Sequence, residues 1–306
     1  MTHKERFVAA LNHREPDKVP FDFGGHQSGI HKIAYGRLND YLGIDIKAIE
    51  INEKVQQLAE IDENILRRLK VDSRYVYPAT KILQEDNPYV DAWGVKRLMP
   101  EGGLYYDMIK NLLSSADIKE IEEYKGPVAE ELGITKELAE KGNYLYENTN
   151  YALVTTFPGI FEKSWELRGV ENILMDIALN QKLVETLFDK VLEIEIKLYE
   201  KLLGFIGKFL NLVMFTEDLG HEDGLLVSPQ FYRKVLKPRQ KELIKTIKRY
   251  SNAKVAIHSD GAIRSLLEDF IEIGIDVINP VQAGAKDMNT KSLKRDFGEN
   301  YVSGEA

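Results

Sequence analysis

Short apolar runs rich in β-branched and aromatic residues alternate with longer stretches whose apolar residues recur at helical spacing. The runs predict strands and the stretches predict helices. The predicted strands are 19–23, 72–77, 151–156, 210–215, 254–258, 276–280 and 300–303. Alternating strands and helices predict a parallel sheet, because parallel neighbours need a crossover connection that is usually helical.

Polar residues follow several of these strands at their carboxyl ends, as at His26, Glu217 and Asn279. Barrels of the (β/α)8 type place their chemistry at that edge. We therefore expect an α/β fold of the TIM (β/α)8 barrel type, with residues 1–306 forming a single domain. Only seven strands are predicted, so we expect the eighth strand and the last helices to be missing at the C-terminus.

The charge and composition narrow the function classes. The net charge is −8 and the sequence pI is about 5.5, which argues against a basic surface for nucleic acid. No apolar stretch reaches membrane-spanning length, and the polar N-terminus lacks a signal-peptide core. There is no cysteine, so disulfides and thiolate ligands from this chain are excluded. We expect a cytoplasmic protein that binds neither membranes nor nucleic acid.

The first candidate site is His258 and Asp260 at the end of the 254–258 strand. Residues two apart in a strand point to the same side. An imidazole next to a carboxylate can bind a metal or work as an acid–base pair. The alternative is structural, with His258 bonded locally and Asp260 capping the next helix.

The second candidate is the acidic loop after the 210–215 strand. Carboxylates gathered in one loop raise each other's pKa, which favours acid–base work or cation binding. Glu217 and Asp218 stand nearest the strand end and are the candidate catalytic residues. The alternative is a solvated polar loop.

Three further residues are candidates for substrate binding. His26 follows a Gly-Gly pair that allows a ligand to approach the backbone closely or simply makes a turn. Phe157 begins an apolar helical face that could line a pocket or belong to the core. Asn279 ends another predicted strand. Nucleotide-binding and serine-hydrolase motifs are absent from the sequence.

A series of motifs in this order resembles the uroporphyrinogen decarboxylase superfamily, and it spans nearly the whole chain. The motifs are residues 6–21, 34–38 and 91–95, Glu217–Gly220, Ser228–Pro229, Tyr232, Lys237–Pro238, His258–Gly261, Gly274, Asp276 and Asn279–Gln282. The resemblance implies a TIM-barrel enzyme, in agreement with the strand and helix pattern.

The superfamily contains two chemistries. True uroporphyrinogen decarboxylases hold their many-carboxylate substrate with an arginine-rich N-terminal segment, but residues 21–31 of this chain contain no arginine. The resemblance is closer to the cobalamin-dependent methyltransferases and related O-demethylase components. Their zinc-binding motif reads His-x-Cys-Gly, and this chain has Asp260 where the cysteine stands.

The resemblance thus implies a divalent ion, zinc among the options, held by His258, Asp260 and Glu217. It also implies a methyl group passing between a small-molecule donor or acceptor, such as a thiol, and a corrinoid carried on a partner protein. Two alternatives remain open at this point. One is a carboxy-lyase like uroporphyrinogen decarboxylase, and the other is a non-catalytic barrel that binds a corrinoid protein.

Overall fold

The computed structural model describes residues 1–45, 48–78 and 87–303. The strands are β1 (Ile51–Glu53), β2 (Leu58–Ala59), β3 (Ser73–Tyr75), β4 (Tyr89–Val90), β5 (Lys96–Leu98), β6 (Asp107–Lys110), β7 (Ala152–Pro158), β8 (Leu212–Thr216), β9 (Gly220–His221), β10 (Gly224–Leu225), β11 (Lys254–His258), β12 (Val277–Asn279) and β13 (Val302–Ser303). The α-helices are α1 (His3–Leu11), α2 (Lys32–Leu42), α3 (Glu63–Arg68), α4 (Ile118–Glu123), α5 (Lys136–Asn148), α6 (Ile160–Arg168), α7 (Val170–Leu179), α8 (Gln181–Ile206), α9 (Pro229–Phe231), α10 (Lys237–Tyr250), α11 (Leu267–Ile273) and α12 (Thr290–Phe297). A π-helical turn, Tyr232–Leu236, joins α9 to α10, and 3₁₀ turns cover Gly207–Phe209 and Arg264–Leu266.

The central sheet has six strands in the order β3-β7-β8-β11-β12-β13. Every neighbouring pair is parallel, and the spatial order is the chain order. A sheet that grows in one direction with helices between its strands is the wall of a (β/α)8 barrel. The predicted α/β fold of TIM-barrel type is confirmed.

The predicted strand at 19–23 does not join this sheet. Pro20 has no N–H for a ladder bond, and the segment lies beside β3 through a few separate contacts. The backbone N–H of Asp72 donates to the carbonyl of Phe21 at 2.7 Å. The hydroxyl of Tyr75 donates to the Asp22 carboxylate at 2.6 Å. The other six predicted strands correspond to the strands of the central sheet.

The two faces of the central sheet bury different partners, as strand alternation requires. On the inner face, Val154, Leu212, Met214 and Ala256 pack together with Phe7 from α1. Helix α1 therefore covers the apolar part of the inner face. Polar side chains on this face are expected only beyond that cluster, toward the carboxyl ends of the strands.

The outer face packs against the helices. Val213, Phe215 and Val255 are fully buried there, in one cluster with the apolar side of α8. Helix α8 is the longest helix, at 26 residues, and it buries one continuous stripe while its other side is charged. Within the described residues, no helix is both long and apolar enough to cross a membrane.

An antiparallel sheet of β4, β5 and β6 lies outside the barrel wall. It is attached to α6 by a buried ion pair, in which Arg97 Nη2 donates to Glu166 Oε1 at 2.7 Å. Lys163 contacts the same carboxylate, and Arg97 also bonds Asp91 at 3.0 Å. These charges fix α6, which is the helix that follows β7.

Candidate functional site

One row of side chains crosses the carboxyl edge of the sheet. Pro158, Thr216, His258 and Asn279 are register partners on β7, β8, β11 and β12. The row has the same parity as the inner apolar cluster, so it faces the inside of the barrel wall. His258 Nδ1 lies 2.8 Å from Asn279 Oδ1. The inner face therefore changes from apolar to polar at its carboxyl edge.

Three potential ligand side chains, one of them His258 of this row, converge at the carboxyl edge of the sheet. His258 Nε2 lies 4.0 Å from Asp218 Oδ1 and 3.9 Å from Asp260 Oδ2. One atom from each of the three side chains falls within 4.8 Å of the others. Among the described residues, this is the one such group of histidine and carboxylate side chains with metal-binding spacing. His258 is 19% exposed, and the two carboxylates are more open to solvent.

Asn279 orients the imidazole of His258. An amide oxygen can only accept, so the hydrogen bond places the proton on Nδ1. The lone pair of Nε2 is then directed toward Asp218 and Asp260. This is the arrangement found around metal-binding histidines, whose second nitrogen donates to a fixed acceptor.

The three groups fit a divalent ion after a small adjustment. Donor atoms on one tetrahedral zinc lie about 3.4 Å apart, given bonds of 2.0–2.1 Å. The separations of 3.9 and 4.0 Å are slightly longer, and rotations of exposed carboxylates can shorten them. One nitrogen and two carboxylate ligands suit zinc and also harder ions.

The two loops that carry the carboxylates are fixed against each other. The N–H of Ala262 donates to the carbonyl of His221 at 2.9 Å, and the N–H of Asp260 donates to Asp218 Oδ1 at 3.1 Å. Gly261 has φ of +86°, and a Cβ there would lie 2.5 Å from the nitrogen of His221. A glycine is required at this close approach, so the position of Asp260 beside Asp218 is built into the backbone.

Glu217, which the sequence suggested as the third ligand, lies on the other face of the sheet. Its carboxylate accepts from the backbone N–H groups of Ile160, Phe161 and Glu162 at 2.9, 2.7 and 3.0 Å. It also accepts from Gln240 Nε2 at 3.1 Å. Burial raises the pKa of Glu217 to about 8, although Gln240 and the N–H donors lower it. The structure therefore makes Glu217 the cap of α6 and puts Asp218 at the candidate ion site.

The alternation of side chains at the end of β8 explains why Asp218, and not Glu217, lies at the candidate ion site. Thr216 faces inward, Glu217 outward and Asp218 inward again. Gly159 gives Glu217 its space, because a Cβ at that position would lie 2.6 Å from Glu217 Cγ.

The other two residues predicted to bind substrate, Phe157 and His26, each contact an aromatic ring. Phe157 points to the outer face, where its ring meets Tyr199 edge-on at 5.1 Å between centroids. His26 lies at the β3 side, with its ring 4.7 Å from that of Tyr77, and burial lowers its pKa to about 4. Asn279 is the one of the three that contacts the candidate ion site.

The family is decided by comparison of the sequence with family models. Residues 2–283 match the model described as Uroporphyrinogen decarboxylase (URO-D). The chain belongs to the uroporphyrinogen decarboxylase family. The resemblance seen in the motifs is thus confirmed over nearly the whole chain.

Solved structures add a neighbour with the same fold. The chain is similar to a methyltransferase from Methanosarcina mazei, with a TM-score of 0.59 and 19% sequence identity over 98% of this chain and 81% of that chain. At this identity the likeness establishes the fold of this URO-D family member and not its reaction. None of the curated proteins compared with the chain matches it.

Sequence reasoning did not single out one carboxyl group that lies near the candidate ion site. Glu162, near the start of α6, interacts with the hydroxyl of Thr216 on the inner row. Burial raises the pKa of Glu162 to about 7, and Asp218 is among the charges that add to this shift. The only sequence signal was a glutamate three residues after Gly159, the residue that precedes the helix.

Proposed function

We propose that this chain is a metal-assisted methyltransferase, with Asp218, His258 and Asp260 holding a divalent ion. The observation that carries the proposal is the convergence of these three side chains at the carboxyl edge of the sheet. The hydrogen bond from His258 to Asn279 supports it, since it leaves Nε2 free to bind. The name of the Methanosarcina neighbour, a methyltransferase, agrees with this direction.

Each residue has a defined part in this proposal. The ion would act as a Lewis acid that lowers the pKa of a bound thiol or polarises the oxygen of a methyl donor. Asn279 keeps the imidazole oriented, and the contact at Gly261 keeps Asp260 beside Asp218. The exposed side of the two carboxylates leaves room for a small-molecule donor or acceptor and for a corrinoid presented by a partner protein. A cytoplasmic location would keep a thiol acceptor reduced.

The charges argue against the decarboxylase reaction. A porphyrinogen with many carboxylates needs arginine counter-charges, and residues 21–31 contain none. Asp218 and Asp260 would add repulsion at the mouth of the site. We therefore rank a carboxy-lyase second, and an assay with uroporphyrinogen decides between the two reactions.

Metal analysis tests the site. Wild-type protein should hold about one divalent ion per chain after loading with zinc and dialysis, while His258→Ala should bind at least about 100-fold more weakly. His221→Ala is the matched control, because His221 is exposed at the end of β9 and lies outside the ligand group. An ion content that is negligible in the wild type, or unchanged by His258→Ala, would contradict the metal proposal.

An activity assay tests the reaction. The zinc-loaded protein, methylcobalamin and 2-mercaptoethanol should give the S-methyl product, and His258→Ala should not. Turnover of uroporphyrinogen without methyl transfer would favour the carboxy-lyase. Binding of a corrinoid protein without either reaction would favour the non-catalytic barrel.

A further inference from the structure

Glu162 brings a further carboxyl group to Thr216 on the inner row. It is the third residue of α6, which starts directly after β7. Its carboxyl group interacts with Thr216, and Thr216 is the register partner of His258 on the adjacent strand. The carboxyl group therefore lies on the inner side of the wall, one strand away from the candidate ligand His258.

The side chain of Glu162 has no evident structural task. A glutamate in the first turn commonly serves to cap its helix, but Glu217 already accepts the N–H groups of Ile160, Phe161 and Glu162 itself. Glu162 Oε2 is buried, and it has no hydrogen-bond partner among the described residues. An enclosed carboxyl oxygen without a partner is costly, and this oxygen can accept a hydrogen bond from a group that arrives with the substrate.

The charges around Glu162 keep it able to exchange a proton near neutral pH. Burial is the main cause that raises its pKa to about 7, and Glu166 and Asp218 raise it further. The hydroxyl of Thr216 and the ammonium group of Lys163 act in the opposite direction. General bases work best when their pKa lies near the working pH.

The geometry points to Glu162 as the general base that takes the proton of the acceptor thiol during methyl transfer. This inference rests on the proposed methyltransferase function. The S–H proton passes to the Glu162 carboxylate, and the sulfur lone pair forms the new S–CH₃ bond. The bond between the methyl carbon and its donor breaks, and its electron pair stays with the donor. For a methylcorrinoid donor, cobalt is reduced from Co(III) to Co(I).

The test compares Glu162→Gln with wild type, both loaded with zinc. Glutamine keeps the size of the side chain but cannot accept a proton. The rate of S-methylation of 2-mercaptoethanol by methylcobalamin should fall by about 10²–10³-fold, in the range for loss of a general base. The rate of the wild type should rise with pH as the Glu162 carboxyl group ionises, and this rise should be lost in the variant. Glu171→Gln is the matched control, because Glu171 is an exposed glutamate in the first turn of the next helix.

Proton release on thiol binding gives a readout that does not depend on turnover. Binding of 2-mercaptoethanol to the zinc-loaded protein at pH 7, measured by calorimetry in buffers of different ionisation enthalpy, counts the protons released. A carboxylate that takes up the thiol proton keeps it in the complex, so the wild type should release fewer protons than Glu162→Gln. Glu171→Gln should match the wild type.

The outcomes separate the two proposals. Zinc and thiol binding with equal proton release and equal rates in wild type and Glu162→Gln would overturn the role of Glu162 and leave the methyltransferase intact. A wild type that binds neither zinc nor thiol would overturn the proposed function, and the role of Glu162 with it. Zinc content and thermal unfolding of Glu162→Gln should equal those of the wild type, and a loss of either would assign Glu162 a structural role.

Discussion

The two carboxyl groups that follow β8, those of Glu217 and Asp218, lie on opposite faces of the sheet and have different surroundings. On the outer face, Glu217 is fully buried and accepts four N–H donors. On the inner face, Asp218 is 38% exposed and accepts one backbone N–H, from Asp260, while it faces the imidazole of His258. The outer carboxylate has used its hydrogen-bonding capacity within the fold. The inner one keeps lone pairs for a ligand.

Of these two consecutive residues, we expect Glu217 to contribute to stability and Asp218 to ion binding. The carboxyl group of Glu217 accepts the N–H groups at the N-terminus of α6, so Glu217 joins β8 to α6. Asp218 contributes less to packing because its side chain is 38% exposed. Substitutions at the two positions should therefore affect different measurements.

The largest effect is expected from Glu217→Ala. This change leaves the N–H groups of α6 and the amide of Gln240 buried without a partner. The free energy of unfolding should fall by about 3–5 kcal/mol, the range for removing one partner of a buried polar network. Asp218→Ala should change it by less than about 1 kcal/mol but should abolish zinc binding. Urea unfolding and metal analysis of both variants measure the contrast.

The contrast would collapse if the two variants behaved alike. Equal losses of stability would mean that Asp218 is as deeply built into the fold as Glu217. Loss of zinc binding in folded Glu217→Ala protein, with Asp218→Ala unaffected, would return the ligand role to Glu217.

The sequence predicted the strands of the barrel wall better than it predicted which face of the sheet each side chain occupies. The apolar runs at 210–215 and 254–258 located β8 and β11, because buried parallel strands are apolar on both faces. That same property hides alternation, so Leu212–Thr216 does not reveal which following carboxylate turns inward. Spacing alone placed His258 and Asp260 on one side, and the structure has them 3.9 Å apart.

Glu162 was out of reach for a different reason. Its neighbours in space, Thr216 and Asp218, are more than fifty residues away in the chain, and only the packing of α6 over β8 brings them together. The sequence left open whether Phe157 lines a pocket or belongs to the core, and strand alternation takes its ring into the helix layer against Tyr199. Such contacts depend on the register between strands, which a single sequence does not contain.

A smaller effect is expected from Asn279→Ala, which tests the inner face without removing a ligand. His258 would lose the acceptor that fixes its Nδ1 proton. Zinc affinity should weaken by about 10–100-fold, as for loss of the residue that orients a metal-binding histidine. Competition with a chelator measures this, and Asn300→Ala, at an exposed position, is the control. Unchanged affinity would mean that the ring of His258 is held by the strand alone.

The smallest effect is expected at Glu195, whose carboxyl group lies in the helix layer and, unlike that of Glu217, accepts no N–H group among the described residues. Glu195 on α8 is fully buried, and neither of its oxygens has a hydrogen-bond partner in the described part of the chain. Burial raises its pKa well above the usual value, and Lys163 lowers it only in part. Glu195→Leu should raise the free energy of unfolding by about 1 kcal/mol at pH 5, because an unpaired polar group is exchanged for an apolar one.

The gain from Glu195→Leu should increase with pH. The native state keeps the Glu195 proton at a pH where the unfolded chain has released it. The free energy of unfolding of the wild type therefore falls as pH rises above about 4.5. Leucine has no proton to lose, and the variant lacks this term. Urea unfolding of both proteins between pH 5 and 8 should therefore give diverging curves. Parallel curves would mean that Glu195 has bonded partners in solution, and that the outer layer satisfies this carboxyl group as completely as it satisfies Glu217.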